Sequence, residues 1–184
     1  MLIQDGKGSG ALADVNKSNQ LLTEAVTLSA FAKAARNGDA YSWTSVTDDI
    51  ETEENMLSVI NQSRSRLLHI TKFYAWSDVA AVYHVHVPAP GTWAGTAVLG
   101  VNMNRASTKT ADAVAYRDET GDTYAAANDV LALHTNETAT DIFGVEWDFE
   151  GALMLGYDDC VSCYIVGGSA AINCSFFGYY TDIE

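Results

Sequence analysis

The chain reads as an all-β protein, an antiparallel β-sandwich of jelly-roll type preceded by an extended N-terminal arm and one short helix. Three observations predict this. From Ala40 to the C-terminus, runs with apolar residues at every second position recur at intervals of roughly 8 to 12 residues, bounded by Gly, Asp, Asn and Ser. The apolar fraction, 48%, is made mostly of Ala, Val, Leu and aromatics mixed with Thr, Ser and Asn, which suits short strands and turns better than long helices. No fixed-period repeat emerges, which speaks against solenoids and propellers.

The elements follow in order. Residues 1–28 are polar and glycine-rich with two short apolar runs and no helical stripe of useful length, so they read as an attachment arm. Residues 29–184 form the sandwich domain, with a helix near 30–36: Ser29 is a good N-cap, Ala30 to Arg36 are strong helix formers, and Asn37-Gly38 supply a left-handed stop. "AYSWTSVT" puts Tyr41 and Trp43 on one face, and "NMLSVINQS" carries Leu57 and Val59. "RLLHITKFYAW" and "VAAVYHVHVP" follow, with a turn at Ser77-Asp78. In "GTAVLGVNMNR", Ala97, Leu99, Val101 and Met103 alternate with Val98, Gly100, Asn102 and Asn104, which predicts one further strand. After "ADAVAYRDETGDTYAAA", with a turn at Gly121-Asp122, the pattern gives a polar connection through Asn136. "DIFGVEWDFEGALML", "CVSCYIV" and "AAINCSFFGYY" are the last strands, the final two predicted as a hairpin about Gly167-Gly168.

At 184 residues the chain suffices for one domain that hides roughly 70% of its unfolded surface. A net charge of -14, from 24 acidic and 10 basic side chains, would repel backbone phosphates, so no nucleic-acid partner is expected. Apolar stretches fall short of the roughly 18 residues a membrane span needs, and no signal peptide is evident, so folding in a cytoplasm and no membrane partner are expected. Cys160, Cys163 and Cys174 cannot all pair; alternation puts Cys160 on the face opposite Cys163, which suits neither a redox dithiol nor a zinc corner, and buried free thiols are expected.

Four motifs carry possible chemistry. "DGKGSG" has the glycines of a phosphate loop, but Lys7 is followed by Gly8 rather than a hydroxyl residue and no helix opens there. In "YHVHVPAPG", His84 and His86 project from one strand face, a geometry metal sites use; the pattern is similar to cupins, but no acid follows, and a third ligand would have to come from His69 or His134. The plainer reading is a polar strand face with Tyr83, Val85 and Val87 packed inward. "TDDIETEEN" holds five carboxylates between Asp48 and Glu54 without calcium-loop spacing, and reads as a solvated loop. "VEWDFE" sets Glu146, Asp148 and Glu150 on one face, either the residue type glycoside hydrolysis needs or a solvent-facing edge. No Gly-x-Ser-x-Gly elbow occurs, and the residues imply no enzyme and no cofactor.

The two ends of the chain carry a resemblance. Ile3, Asp5, Gly6, Gly8 and Gly10, then Ala13 to Val15, Asn19 to Leu22, Val26-Thr27 and Gly38 to Tyr41, are similar in order to the opening of tailed-bacteriophage virion structural proteins of the capsid-decoration or head-associated type. The closing "LMLGYDDCVSCYIVGGSAAINCSFFGYYTD" resembles that group's final hairpin. The resemblance implies a non-enzymatic protein cementing the exterior of a phage capsid, with the major capsid protein or other virion proteins as partners and a homotrimer by analogy. The arm would attach it through Ile3, Asp5, Gly6, Gly8, Gly10, Leu12 and Val15, by strand addition or threading between subunits. Two alternatives stand beside it: a tail or fibre component whose sandwich binds carbohydrate through exposed Trp43, Trp76, Trp93 or tyrosines, and a cupin-like metalloprotein using His84 and His86.

Overall fold

The computed structural model describes residues 3–4, 12–13, 28–47, 53–77, 80–89, 91, 93–117, 124–134, 144–167 and 172–183. Two short strands, β1 (Ile3–Gln4) and β2 (Leu12–Ala13), pair with each other, Ile3 opposite Ala13 and Gln4 opposite Leu12, in a ladder separate from both larger sheets. The helix α1 (Ala30–Asn37) comes next, followed by β3 (Ala40–Thr47), β4 (Glu53–Asn61), β5 (Arg66–Ser77) and β6 (Ala81–His86). Three short strands, β7 (Thr96–Val98), β8 (Val101–Asn102) and β9 (Ala113–Arg117), precede a single 3-10 turn at Ala126–Asn128. The chain closes with β10 (Asp129–His134), β11 (Gly144–Leu155), β12 (Cys160–Gly167) and β13 (Ile172–Asp182).

The strands build an all-β sandwich of a 6-stranded sheet, in the order β10-β6-β12-β4-β9-β7, and a 5-stranded sheet, in the order β11-β5-β13-β3-β8. The connectivity is regular. β3, β4, β5 and β6 run antiparallel to β13, β12, β11 and β10 respectively, and each next strand in either series changes sheet. The result is one long antiparallel ribbon rolled into two layers, which is the jelly-roll arrangement. The excursion between β6 and β10 adds β9 and β7 beyond β4, and β8 beyond β3, extending both sheets on the same side.

Alternation explains the packing. From the five-stranded sheet Tyr41, Trp43, Phe73, Ala75 and Phe176 face inward, and Leu57, Val59, Tyr83, Val85 and Val161 meet them from the other sheet, all fully buried. Phe73 lies at the centre, its ring centroid 5.1 Å from Phe176 and 6.4 Å across the core from Tyr83. Full burial of one such side chain contributes about 1.5–3 kcal/mol. Tyr83 and Val85 therefore pack inward as the sequence indicates, and the three cysteines are buried free thiols. Cys160 contacts the Ser162 hydroxyl at 3.4 Å, whereas Cys163 and Cys174 belong to the central core.

The helix forms as its caps dictate. Ser29 Oγ accepts a hydrogen bond from the Ala32 N–H at 3.1 Å, and Gly38 closes the helix in the left-handed region at φ 75°, where a Cβ would be strained. Phe31, Ala34 and Ala35 pack on Ala40 and Tyr179, on the outer face of the five-stranded sheet. Arg66 fastens the corner below: it lies 4.5 Å over the Tyr180 ring and pairs with Asp39 at 3.2 Å and with Asp112.

Three expectations need correction. β12 and β13 do not form a hairpin about Gly167-Gly168, because they lie in opposite sheets, with β12 between β4 and β6 and β13 between β3 and β5. A glycine pair signals a reversal but cannot say whether the chain turns within a sheet or crosses to the other one. The strand expected over Ala97–Asn104 is broken into β7 and β8, in different sheets. Gly100 is the cause: a Cβ there would lie 2.6 Å from Trp43 Nε1 and 2.9 Å from Ala111, so the backbone turns the corner against the core while Leu99 is left 85% exposed. The polar connection before Asn136 contains β10, an edge strand with Leu131 and Leu133 packed on the core. The turn at Gly121-Asp122 and the acids Asp48, Asp49 and Glu51 lie outside the described residues.

Truncating Phe176 to alanine is expected to cost about 3–5 kcal/mol, whereas Leu99→Ser on the exposed corner stays within about 0.5 kcal/mol. Urea unfolding of both variants checks this.

Candidate functional site

Of the arm residues expected to bind a partner, Ile3 and Leu12 fall in the β1–β2 ladder, while Asp5, Gly6, Gly8, Gly10 and Val15 lie outside the described residues. The ladder uses residues on either side of the glycine stretch, so Ile3 and Leu12 are brought within one strand pair.

The histidine motif lands on the outer face of the six-stranded sheet. β6 pairs with both β10 and β12, which sets Tyr164 directly opposite His84 and Ser162 opposite His86. Asp129, at the start of β10, accepts hydrogen bonds on one carboxylate oxygen from His84 Nδ1 at 2.8 Å and the Tyr124 hydroxyl at 3.0 Å. Tyr124 stacks on Tyr164 at 4.2 Å with the rings nearly coplanar in orientation (2°), and its edge meets His86. His86 is fully buried, with Nε2 3.4 Å from Asn55 Oδ1. Burial pushes its pKa below 6.5, and the neighbouring His84 acts in the same direction against the opposing pull of Asp129.

The two imidazoles share a face, as their spacing indicates, and that face points away from the layer between the sheets. His69 lies on the other sheet, stacked on Tyr179 at 4.7 Å, and His134 lies in β10 opposite Val82. Among the described residues no group of three or more His, Cys, Asp or Glu side chains is placed to hold a metal ion. The cluster instead ties β6, β10, β12 and the segment around Tyr124 together.

The outer face of the five-stranded sheet carries a groove of about 420 Å³. Phe31 of α1 and Tyr179 of β13 form one wall, meeting edge-to-face at 6.4 Å. Phe177 and Thr71 lie at its floor, where a bulge in the β5–β13 ladder lets the Thr71 hydroxyl donate to the Phe177 carbonyl at 3.0 Å. Asp148 and Glu150 of β11 make the opposite rim together with Lys72 of β5. The rim has a backbone cause. β11 breaks register between Asp148 and Leu153, Glu150 and Gly151 take positive φ of 54° and 77°, and the Glu150 N–H donates to Asp148 Oδ1 at 2.7 Å.

His69 braces the wall. Its Nδ1 is 3.1 Å from the Gly151 carbonyl and its Nε2 2.9 Å from Thr181 Oγ1, so the ring is held flat against Tyr179. Glu146, Asp148 and Glu150 are all solvent-exposed, Glu150 lying within the break of β11, with Lys72 paired to Glu146 and 3.9 Å from Asp148. The tryptophans named for a carbohydrate face are placed elsewhere: Trp43 is fully buried, Trp76 and Trp93 are partly buried, and none lines the groove. Sequence reasoning singled out the acids and missed Phe31, Thr71, Phe177 and Tyr179, whose convergence depends on strand order.

No helix among the described residues is long and apolar enough to cross a membrane. The chain matches no protein-family model, no curated protein sequence and no solved structure.

The buried histidine gives a signed pH prediction. Between 6.5 and the lower value of folded His86, the unfolded chain binds a proton that the folded chain refuses. Stability from this group is therefore complete above 6.5 and is lost as pH falls through the folded value. His86→Gln is expected to flatten that segment of the stability profile, measured as urea midpoint against pH.

Proposed function

We propose that the protein is a non-enzymatic structural component of a tailed-phage particle, decorating the capsid exterior and held there by its N-terminal segment. The observation that carries this reading is the separation of β1 and β2 from the sandwich: the jelly roll runs from β3 to β13, and among the described residues no strand before Ala40 joins it. Pairing of β1 or β2 with the major capsid protein, or with a neighbouring decoration protein, would leave the two sheets of the domain intact.

Three further features support the reading. The jelly roll is an architecture of viral capsid and lectin domains, although architecture alone does not fix a function. The order of residues at both ends resembles phage virion structural proteins. A net charge of -14 suits an outer position away from packaged nucleic acid. In the histidine cluster His84 and Tyr124 share one carboxylate oxygen of Asp129, and this cross-linking of three strands and a loop suits a structural role.

Deleting residues 1–28 tests the proposal. The truncated protein is expected to keep the circular dichroism and the melting cooperativity of the full chain while failing to co-sediment with particles of the phage that encodes it. Normal co-sedimentation of the truncated protein would refute attachment through this segment. Quantitative mass spectrometry of purified particles separates shell decoration, with hundreds of copies expected, from a tail or vertex position with a dozen or fewer.

A further inference from the structure

We propose that the groove between α1, β5, β11 and β13 binds a neutral pyranose unit of a surface glycan. This does not rest on where the protein sits in a particle, and it uses residues other than the tryptophans the sequence puts forward.

The lining has the chemistry of a sugar. A pyranose ring presents a patch of C–H groups on one face and hydroxyls around its rim that both donate and accept. Phe31, Phe177 and Tyr179 offer π surface for the first. Asp148 and Glu150 accept, and Lys72 donates, for the second. The volume, about 420 Å³, falls in the range of small-molecule sites, roughly 300–1,000 Å³. The aromatic wall is held in place beforehand, since His69 clamps Tyr179 and Phe31 rides on the capped helix. A site whose walls need not be ordered on binding loses less affinity to conformational entropy.

The charges choose among ligands. Asp148 and Glu150 at the rim, and a net charge of -14 overall, oppose sialic acids, uronic acids and sulfated sugars. Lys72 pairs with Glu146 and stands near Asp148, so the rim keeps a net negative charge whose carboxylates serve as acceptors for sugar hydroxyls. Nor does the helix N-terminus offer an anion site, because the Ser29 hydroxyl is used in capping. With Asp148 51% and Lys72 46% exposed, the rim stays hydrated and disfavours an acyl chain.

The test is a microarray of neutral, sialylated and sulfated oligosaccharides probed with the full chain, followed by calorimetric titration of its strongest neutral binder. Binding confined to neutral glycans is expected, weakened about tenfold or more in Asp148→Asn and in Phe177→Ala, and unchanged in Leu99→Ser. The asparagine of Asp148→Asn keeps an Oδ1 able to accept the Glu150 N–H, so the substitution removes the charge while retaining the hydrogen bond that shapes the rim, and Phe177→Leu, expected to keep the fold and lose binding, controls for packing at the floor. The proposal is overturned if no neutral glycan binds, if acidic glycans are preferred, or if Asp148→Asn binds as tightly as the natural chain. Loss of particle attachment on removing residues 1–28 is a separate readout, so failure of one proposal does not imply failure of the other.

Discussion

A single apolar layer shared by two sheets governs everything else in this molecule. Each sheet can hide only one face, so every long strand surrenders alternate side chains to the layer, and Trp43, Phe73, Phe176 and Tyr83 go there completely. Polar chemistry is thereby confined to the two outer faces and to the corners. The rolled ribbon also decides which distant segments become neighbours: β11 beside β5, and β12 between β4 and β6. The histidine cluster is a product of the second pairing and the groove rim of the first.

The two outer faces have different fates. On the six-stranded sheet, Tyr124 lies flat on Tyr164 and hydrogen-bonds with Asp129 beside His84, and His86 lies beneath them, shielded from solvent. On the five-stranded sheet, among the described residues, the helix covers the end near Tyr179, and the break in β11 sets Glu150 beside Asp148 on the rim of the groove. One face is closed by its own side chains; the other keeps a concavity. Bulges cause the difference, since a regular β11 would carry Asp148 and Glu150 in a flat row with Glu146.

Much of the fold could be read locally. Ser29 and Gly38 bracket the helix because capping is decided within a few residues, and Tyr41, Trp43, Leu57, Val59, Tyr83 and Val85 declare their side by alternation alone. The shared face of His84 and His86 follows from the same period. What could not be read was partnership. Cys163 and Cys174 are separated by a short stretch with two glycines, yet their strands bond to different neighbours, a choice set by the whole ribbon. Leu99 continues an apolar alternation but sits in solvent because Gly100 must pass Trp43, a contact distant in sequence. The acids of β11 were legible and their aromatic counterparts were not, because register between β5, β11 and β13 brings them together.

The outermost strands have one more consequence. β7 and β8 span 3 and 2 residues, β10 slips register between Asp129 and Leu131, and β11 slips between Asp148 and Leu153. Among the described residues each flank of the sandwich is therefore short or irregular, which disfavours edge-to-edge pairing of one sandwich with another. A protein so rich in extended backbone is thereby guarded against open-ended stacking of one sandwich edge on the next.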